Sequence, residues 1–192
     1  MSQLADKKTR STAFSSLVRL YQERLYWHIR KMVLSHDDAN DILQNTLMKA
    51  WNGIEGFRGD SQISSWLYRI ATNETMTFLA ARRMRNVAIM DDEEQLLMNQ
   101  LHADSYFDGT EAEMKLQEAI VTLPEKQRLV FNMKYYDDLT YDQMEAILET
   151  SVGALKASYH HAVKKIEKIL TEGPTPVLKS KAKLKTDKSL TN

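Results

Sequence analysis

Residues 37–73 read DDANDILQNTLMKAWNGIEGFRGDSQISSWLYRIATN, and this stretch decides the fold. Ala39, Ile42, Leu43, Thr46, Leu47, Ala50 and Trp51 recur three and four apart, the spacing of one buried helical stripe. The opposite face carries Asp41, Gln44, Asn45 and Met48, polar but barely charged, which suits a protein partner better than nucleic acid. Gly53, Gly56 and Gly59 interrupt the pattern with a polar loop. A second helix then buries Ile63, Trp66 or its neighbour Leu67, Ile70, Ala71, Phe78 and Ala81. It leaves Arg69, Asn73, Arg82, Arg83 and Arg85 outward, a face for phosphates and bases.

Working outward, the same periodicity continues on both sides. Phe14, Leu17, Val18, Tyr21, Leu25, Ile29 and Met32 predict a long helix ending near Ser35-His36, so three helices close a small unit. Residues 90–109 are acidic with scattered leucines and read as a linker, partly helical. Thr110–Glu113 and Thr140–Gln143 are capping-box patterns that each open a helix, and Pro124 suits the first position of another. A very short turn at Glu149-Thr150 leads to Ser151, which caps a last helix burying Val152, Leu155, Tyr159, Ala162, Val163 and Ile166. The tail beyond Gly173 has two prolines and isolated lysines with little to bury, and is expected to be disordered. The fold class is therefore all-α, two small helical domains joined by an acidic linker.

Zero net charge over 192 residues conceals segregation. Residues 1–90 hold 13 basic and 8 acidic side chains, a net of +5; residues 91–115 hold one and eight, a net of −7. Residues 116–172 carry −2 and the tail +4. Without cysteine, disulfides and thiolate metal sites are excluded. The N-terminal MSQLADKKTRSTAF lacks the apolar run of a signal peptide, and no stretch approaches the roughly 20 apolar residues of a membrane span, so a cytoplasmic protein is expected.

A short helix, a tight turn and a capped longer helix form a helix-turn-helix pattern, which lays its second helix in the DNA major groove. Its outward set is Gly153, Ala154, Lys156, Ala157, Ser158, His160 and His161; Ser151 and Lys156 could hold phosphates, Ser158 and His161 could reach base edges. An ordinary helical hairpin fits the same spacing. Trp66 is either core or, with Tyr68, a stacking surface for unpaired bases beside Arg58, Asp60, Ser61 and Gln62. Arg82, Arg83 and Arg85 either complement a helix dipole or contact phosphate. Ten methionines read as core filler, and His160-His161 lacks companions at ligand spacing, so no metal or cofactor is expected. With no phosphate-binding glycine loop or nucleophile elbow, nothing reads as catalytic, and no enzyme activity is expected.

Together these units resemble the bacterial RNA polymerase sigma factors of the extracytoplasmic-function type, in the sigma-70 family, which retain regions 2 and 4. The stretch quoted above, with its FRGD loop and WLYRIA run, is similar to region 2. LPEKQRLVFNMKYYDDLTYDQMEAILETSVGALKASYHHAVKKI is similar to region 4. The resemblance divides the chain into region 2 over 10–88, a linker over 89–110, region 4 over 111–172 and a basic tail over 173–192. It implies that Asp41, Gln44, Asn45 and Met48 bind core RNA polymerase at the β′ coiled coil, with β as a further contact. Minus-ten recognition and melting would fall to Arg58, Asp60, Ser61, Gln62, Trp66, Arg69, Asn73, Arg82 and Arg83. Minus-thirty-five recognition would fall to Ser151, Gly153, Ala154, Lys156, Ala157, Ser158 and His161. The linker would run through the polymerase near the template and exit path. An anti-sigma factor is the further implied partner, one that can hold such a protein at the inner membrane.

Three positions depart from the family pattern. Asn45 stands where an acidic residue is usual, Ala157-Ser158 where Ser-Arg is common, and His161 where arginine is usual. Fewer cationic contacts imply weaker or differently specific upstream binding. Two rivals use the same helices differently. A sigma mimic that sequesters an anti-sigma factor should lack the FRGD loop and the arginine-rich helix end, and a ligand-sensing helix-turn-helix regulator should show a pocket and dimerise. A small helical enzyme ranks last.

Overall fold

The computed structural model describes residues 9–57, 59, 62–89, 93–103 and 109–172, and among them all regular structure is helical. The first three helices are α1 (Arg10–Val33), α2 (His36–Gly53) and α3 (Ile63–Ile89). Between α2 and α3 lies one 3-10 turn, Ile54–Gly56. Next come α4 (Glu93–His102), α5 (Glu111–Val121), α6 (Glu125–Tyr135), α7 (Tyr141–Leu148) and α8 (Val152–Glu172). The chain tail and the expectation of disorder there lie outside the described residues.

Local chemistry accounts for the boundaries. Ser35 caps α2, its hydroxyl accepting from the Asp38 N–H at 3.3 Å, and Asp37 and Asp38 complement the positive end of the helix. Both predicted capping boxes are formed, with Thr110 and Glu113 opening α5 and Thr140 and Gln143 opening α7. Pro124 is the residue before α6 rather than its first, supplying a fixed φ where no N–H is needed.

Helices α1, α2 and α3 pack on one another, as do α6, α7 and α8 with α5 against α8. Both expected helical domains are present, and they pack directly against each other. Helix α3 packs on α7 and α1 on α6, so Leu25, Ile29, Met32 and Leu67 share one core with Leu129, Met133, Met144 and Ile147. A smaller core holds Ala119, Ile120, Phe131, Ala162 and Ile166.

The acidic connector is also more than a linker. In α4, Leu97 and Leu101 are each 2% exposed and meet Leu34 and Val121. Leu34 itself has φ 57°, a left-handed position that ends α1, its N–H donating to the Arg30 carbonyl at 2.9 Å. That conformation costs an L-residue about 1–2 kcal/mol, while burying a leucine side chain contributes about 1.5–3 kcal/mol. The contact with α4 therefore outweighs the strain.

Two arginines close helix ends from within. Arg82 is 6% exposed, and its Nη1 donates to the Val33 carbonyl at 3.3 Å and to Gln100 Oε1 at 3.4 Å, with its guanidinium 5.8 Å from the Phe78 ring. This corrects the expectation of an outward Arg82, because the C-terminal carbonyl of α1 and the ring of Phe78 draw the cation inward. Ala81, expected to be buried, is exposed instead. Arg128, 3% exposed, does for α5 what Arg82 does for α1, donating to the Val121 carbonyl at 3.4 Å.

Leu97→Ala should lower unfolding free energy by about 2–4 kcal/mol in denaturant melts, since the linker helix is docked; a change within error would mean that it is not. Arg82→Ala should cost about 1.5–3 kcal/mol. By contrast, Arg85→Ala, on the exposed side of the same turn, should stay within about 0.5 kcal/mol in the same melts.

Candidate nucleic-acid and protein interfaces

On α2, the four residues of the polar face are all exposed, Met48 to 57%, while Ala39, Ile42, Thr46 and Ala50 opposite them are buried. Thr46 tolerates full burial because its hydroxyl donates to the Ile42 carbonyl at 2.8 Å. Trp51, expected on the buried stripe, is 42% exposed and meets Phe14 edge-on at 5.1 Å, so it extends the outward face of α2. The result is a shallow surface of amides, one carboxylate and two large apolar side chains. Such a surface fits a protein partner.

The loop before α3 carries Arg58, Asp60 and Ser61, all three outside the described residues. Gly59 has φ 81°, a conformation that only glycine adopts without strain. Gln62 is exposed, and its carbonyl accepts from the Trp66 N–H at 3.1 Å. Trp66 is half-buried: its ring lies 5.2 Å from that of Phe57, tilted by 45°, and a Cβ on Gly53 would sit 3.3 Å from it. Gly53 thus ends α2 and makes room for the indole. The indole is thus packed against Phe57 and Gly53 while remaining partly exposed.

Tyr68 does not join it. It is 5% exposed, edge-on to His28 at 5.0 Å, and burial followed by the Asp137 charge pushes its hydroxyl up to about 12. The expectation that Tyr68 stacks on bases is corrected: it lies on the inner side of α3, one residue beyond the core position of Leu67. Farther along α3, Asn73 is exposed, Arg69 half-exposed and Arg83 exposed; Arg69 pairs with Glu149 at 3.7 Å and Arg83 with Glu125 at 2.9 Å. Arg82, buried as described, is withdrawn from the outward set.

The helix-turn-helix is built as the spacing predicts. Glu149 ends α7 at φ 52°, its N–H donating to the Glu145 carbonyl at 2.8 Å. The Glu145 carboxylate accepts from the Val152 N–H at 3.2 Å, tying the two helices together, and Ser151 Oγ accepts from the Ala154 N–H at 3.4 Å. Gly153, Ala154, Lys156, Ala157, His160 and His161 are exposed and Ser158 is half-exposed, while Leu155 and Ala162 are buried. Lys156 rests 5.7 Å from the Tyr141 ring.

What the sequence did not disclose is where these faces meet. Arg69, Asn73 and Met76 of α3 line one cleft with Ala154, Leu155 and Ser158 of α8, about 490 Å³ in volume. Residues assigned to two separate DNA elements therefore share a wall. The sequence also held an unused signal: His28 stands three residues after Leu25 and four before Met32, a polar residue on an apolar stripe. It is 1% exposed.

Comparison with known proteins agrees with this architecture. The family model for sigma-70 region 2 matches residues 17–85, and that for sigma-70 region 4 matches residues 113–166. The ECF RNA polymerase sigma factor SigW of Bacillus subtilis is 28% identical over 86% of this chain and 93% of its own length. The ECF RNA polymerase sigma-E factor of Haemophilus influenzae is 30% identical over 86% of this chain and 89% of its own. Among solved structures, the sigma factor RpoE of Bartonella quintana, in complex with the anti-sigma factor NepR, has the same fold. It gives a TM-score of 0.64 at 22% identity, over 83% of this chain and 97% of that one. CnrH in complex with the cytosolic domain of CnrY gives 0.62 at 20% identity, over 85% and 91%. Both sigma-70 regions in order, and a relative at 30% identity across most of the length, show that the chain belongs to the extracytoplasmic-function sigma factors of RNA polymerase.

Proposed function

We propose that α2 docks on core RNA polymerase through Asp41, Gln44, Asn45 and Met48, and that α3 and α8 then engage the minus-ten and minus-thirty-five promoter elements. The protein is a promoter-directing sigma factor, a DNA-binding initiation factor. The observation that carries the polymerase assignment is the strict division of α2, buried along one side and exposed at all four named positions on the other.

The mechanism is binding without bond chemistry. Unstacking a base costs about a few kcal/mol, and contacts available only to the extruded base must offset that. The partly exposed Trp66 offers a stacking surface at the start of α3, with Gln62 one turn earlier and Arg69 and Asn73 one and two turns later. Arg58, Asp60 and Ser61 are assigned to that base by their place in the sequence between Phe57 and Gln62. Arg83 remains a phosphate contact, and Arg82 acts through the fold by holding the ends of α1 and α4 together. On α8, Ser151 and Lys156 face phosphate, and Gly153, Ala154, Ala157, Ser158 and His161 face the major groove. With Lys156 the one Lys or Arg between 151 and 161, the upstream contact has a shallow salt dependence.

The division 10–88, 89–110 and 111–172 gives the working parts. No helix among the described residues is long and apolar enough to cross a membrane. The protein acts in the cytoplasm, and an anti-sigma protein is its proposed regulator.

Purified protein with core polymerase should start transcription from a subset of genomic fragments in run-off assays; no factor-dependent transcript from any fragment would overturn the assignment. Asp41→Ala combined with Gln44→Ala should weaken core binding about tenfold with an unchanged melting profile. For Trp66→Leu, which retains apolar packing against Gly53, permanganate reactivity of the promoter bubble should fall severalfold while closed-complex affinity changes by less than about threefold. Equal bubble reactivity in variant and parent would remove Trp66 from the melting step.

A further inference from the structure

The junction between the two sigma regions is mostly apolar and non-directional, with one buried polar cluster. His28 of α1 is 1% exposed, and both of its ring nitrogens are engaged. Nδ1 lies 2.6 Å from Asp137 Oδ2, and Nε2 lies 3.0 Å from the Thr72 hydroxyl of α3. Lys31 Nζ donates to Asp137 Oδ1 at 3.1 Å and sits 4.6 Å from the Tyr136 ring. The Asp137 side chain, in the turn after α6, is 3% exposed. Asn132 adds a donor to the Lys31 carbonyl at 3.4 Å. Both of these partners of the Asp137 side chain, His28 and Lys31, come from region 2, more than a hundred residues away in the chain.

The other ion pairs across the junction behave differently. Arg69–Glu149 has side chains 42% and 80% exposed, and Arg83–Glu125 has 44% and 16%. Solvated pairs of this kind contribute little. A buried charge pair is asymmetric: intact, it roughly offsets its own desolvation, but with one partner removed the other is buried without compensation. Separation of the two regions lets water reach the orphan. Loss of either partner therefore disfavours the closed arrangement far more than the open one.

The closed arrangement also has a consequence for DNA. Ala154 and Ser158 of the α8 face line the cleft shared with Arg69 and Asn73 of α3, about 490 Å³ in volume, so two of the residues proposed to enter the major groove face region 2 in this arrangement.

We propose that His28 and Asp137, with Thr72 and Lys31, form a latch that holds regions 2 and 4 closed in the free chain and sets the fraction able to engage a promoter. The effect on transcription rests on the sigma reading; the latch itself does not. A chain that is mostly closed binds with an apparent affinity reduced by its open fraction, so weakening the latch improves apparent affinity in proportion.

The absence of cysteine makes the test direct. Spin labels on cysteines introduced at Asn52 and Lys164, both exposed and outside the latch, report the inter-region distance in the full chain. The parent should give one dominant short distance. Asp137→Ala should raise the ratio of long to short distances roughly tenfold and lower the half-saturating factor concentration in run-off transcription by a similar ratio. Asp137→Asn, which retains the side-chain volume, should act in the same direction, and it stands in if the alanine variant does not fold. An unchanged distance distribution in a folded variant overturns the latch, whatever transcription does. Opening without a change in half-saturation overturns its control of promoter engagement. A parent that opens and closes as expected but never starts transcription would sink the sigma reading and leave the latch supported.

Discussion

A carboxylate enclosed between two helical units is the constraint around which this molecule is arranged. Burial by itself would push the Asp137 carboxyl up and discharge it, but the hydrogen bond and charge of His28, and then Lys31, outweigh burial and hold it below the usual carboxylate range. Those partners exist only if α1 lies against the turn after α6, and Thr72 reaches the far side of His28 only if α3 lies beside α1. The positions of three helices are thus coupled through one imidazole ring. The apolar core contributes more free energy, but it tolerates sliding; the buried polar contacts do not.

The zero net charge takes on a different meaning in this light. Several cations that composition would assign to nucleic acid are used inside the fold. Arg82 and Arg128 occupy the carbonyl ends of α1 and α5, and Lys31 is committed to Asp137. What remains on the α8 face is small and mostly uncharged. In the proposed reading, recognition there depends on shape and hydrogen bonding more than on counterion release.

The acidic connector illustrates how a short helix can be structural without a strong pattern of its own. Leu97 and Leu101 are four apart, too brief a stripe to distinguish from chance. Their significance comes from Leu34, held in a left-handed conformation at the end of α1, and from Val121 at the end of α5. Each is a helix end that needs cover, and α4 supplies it. In the free protein the two regions are thus joined by a docked helix as well as by the latch.

From the residues alone, the seven helices other than α4, the capping boxes at Thr110 and Thr140, the split faces of α2 and the helix-turn-helix were all legible, because they depend on neighbours within four positions. The resemblance to sigma regions 2 and 4 rested on the same local patterns. Arg82, Tyr68 and Ala81 were placed on the wrong side of α3, since in a helix touched by two partners a single stripe no longer divides inside from outside. The shared core, the cleft joining Arg69 to Ser158 and the pairing of His28 with Asp137 were decided by tertiary structure only. Contacts over a hundred residues leave no periodic trace, and a histidine on an apolar stripe does not name the carboxylate that will meet it.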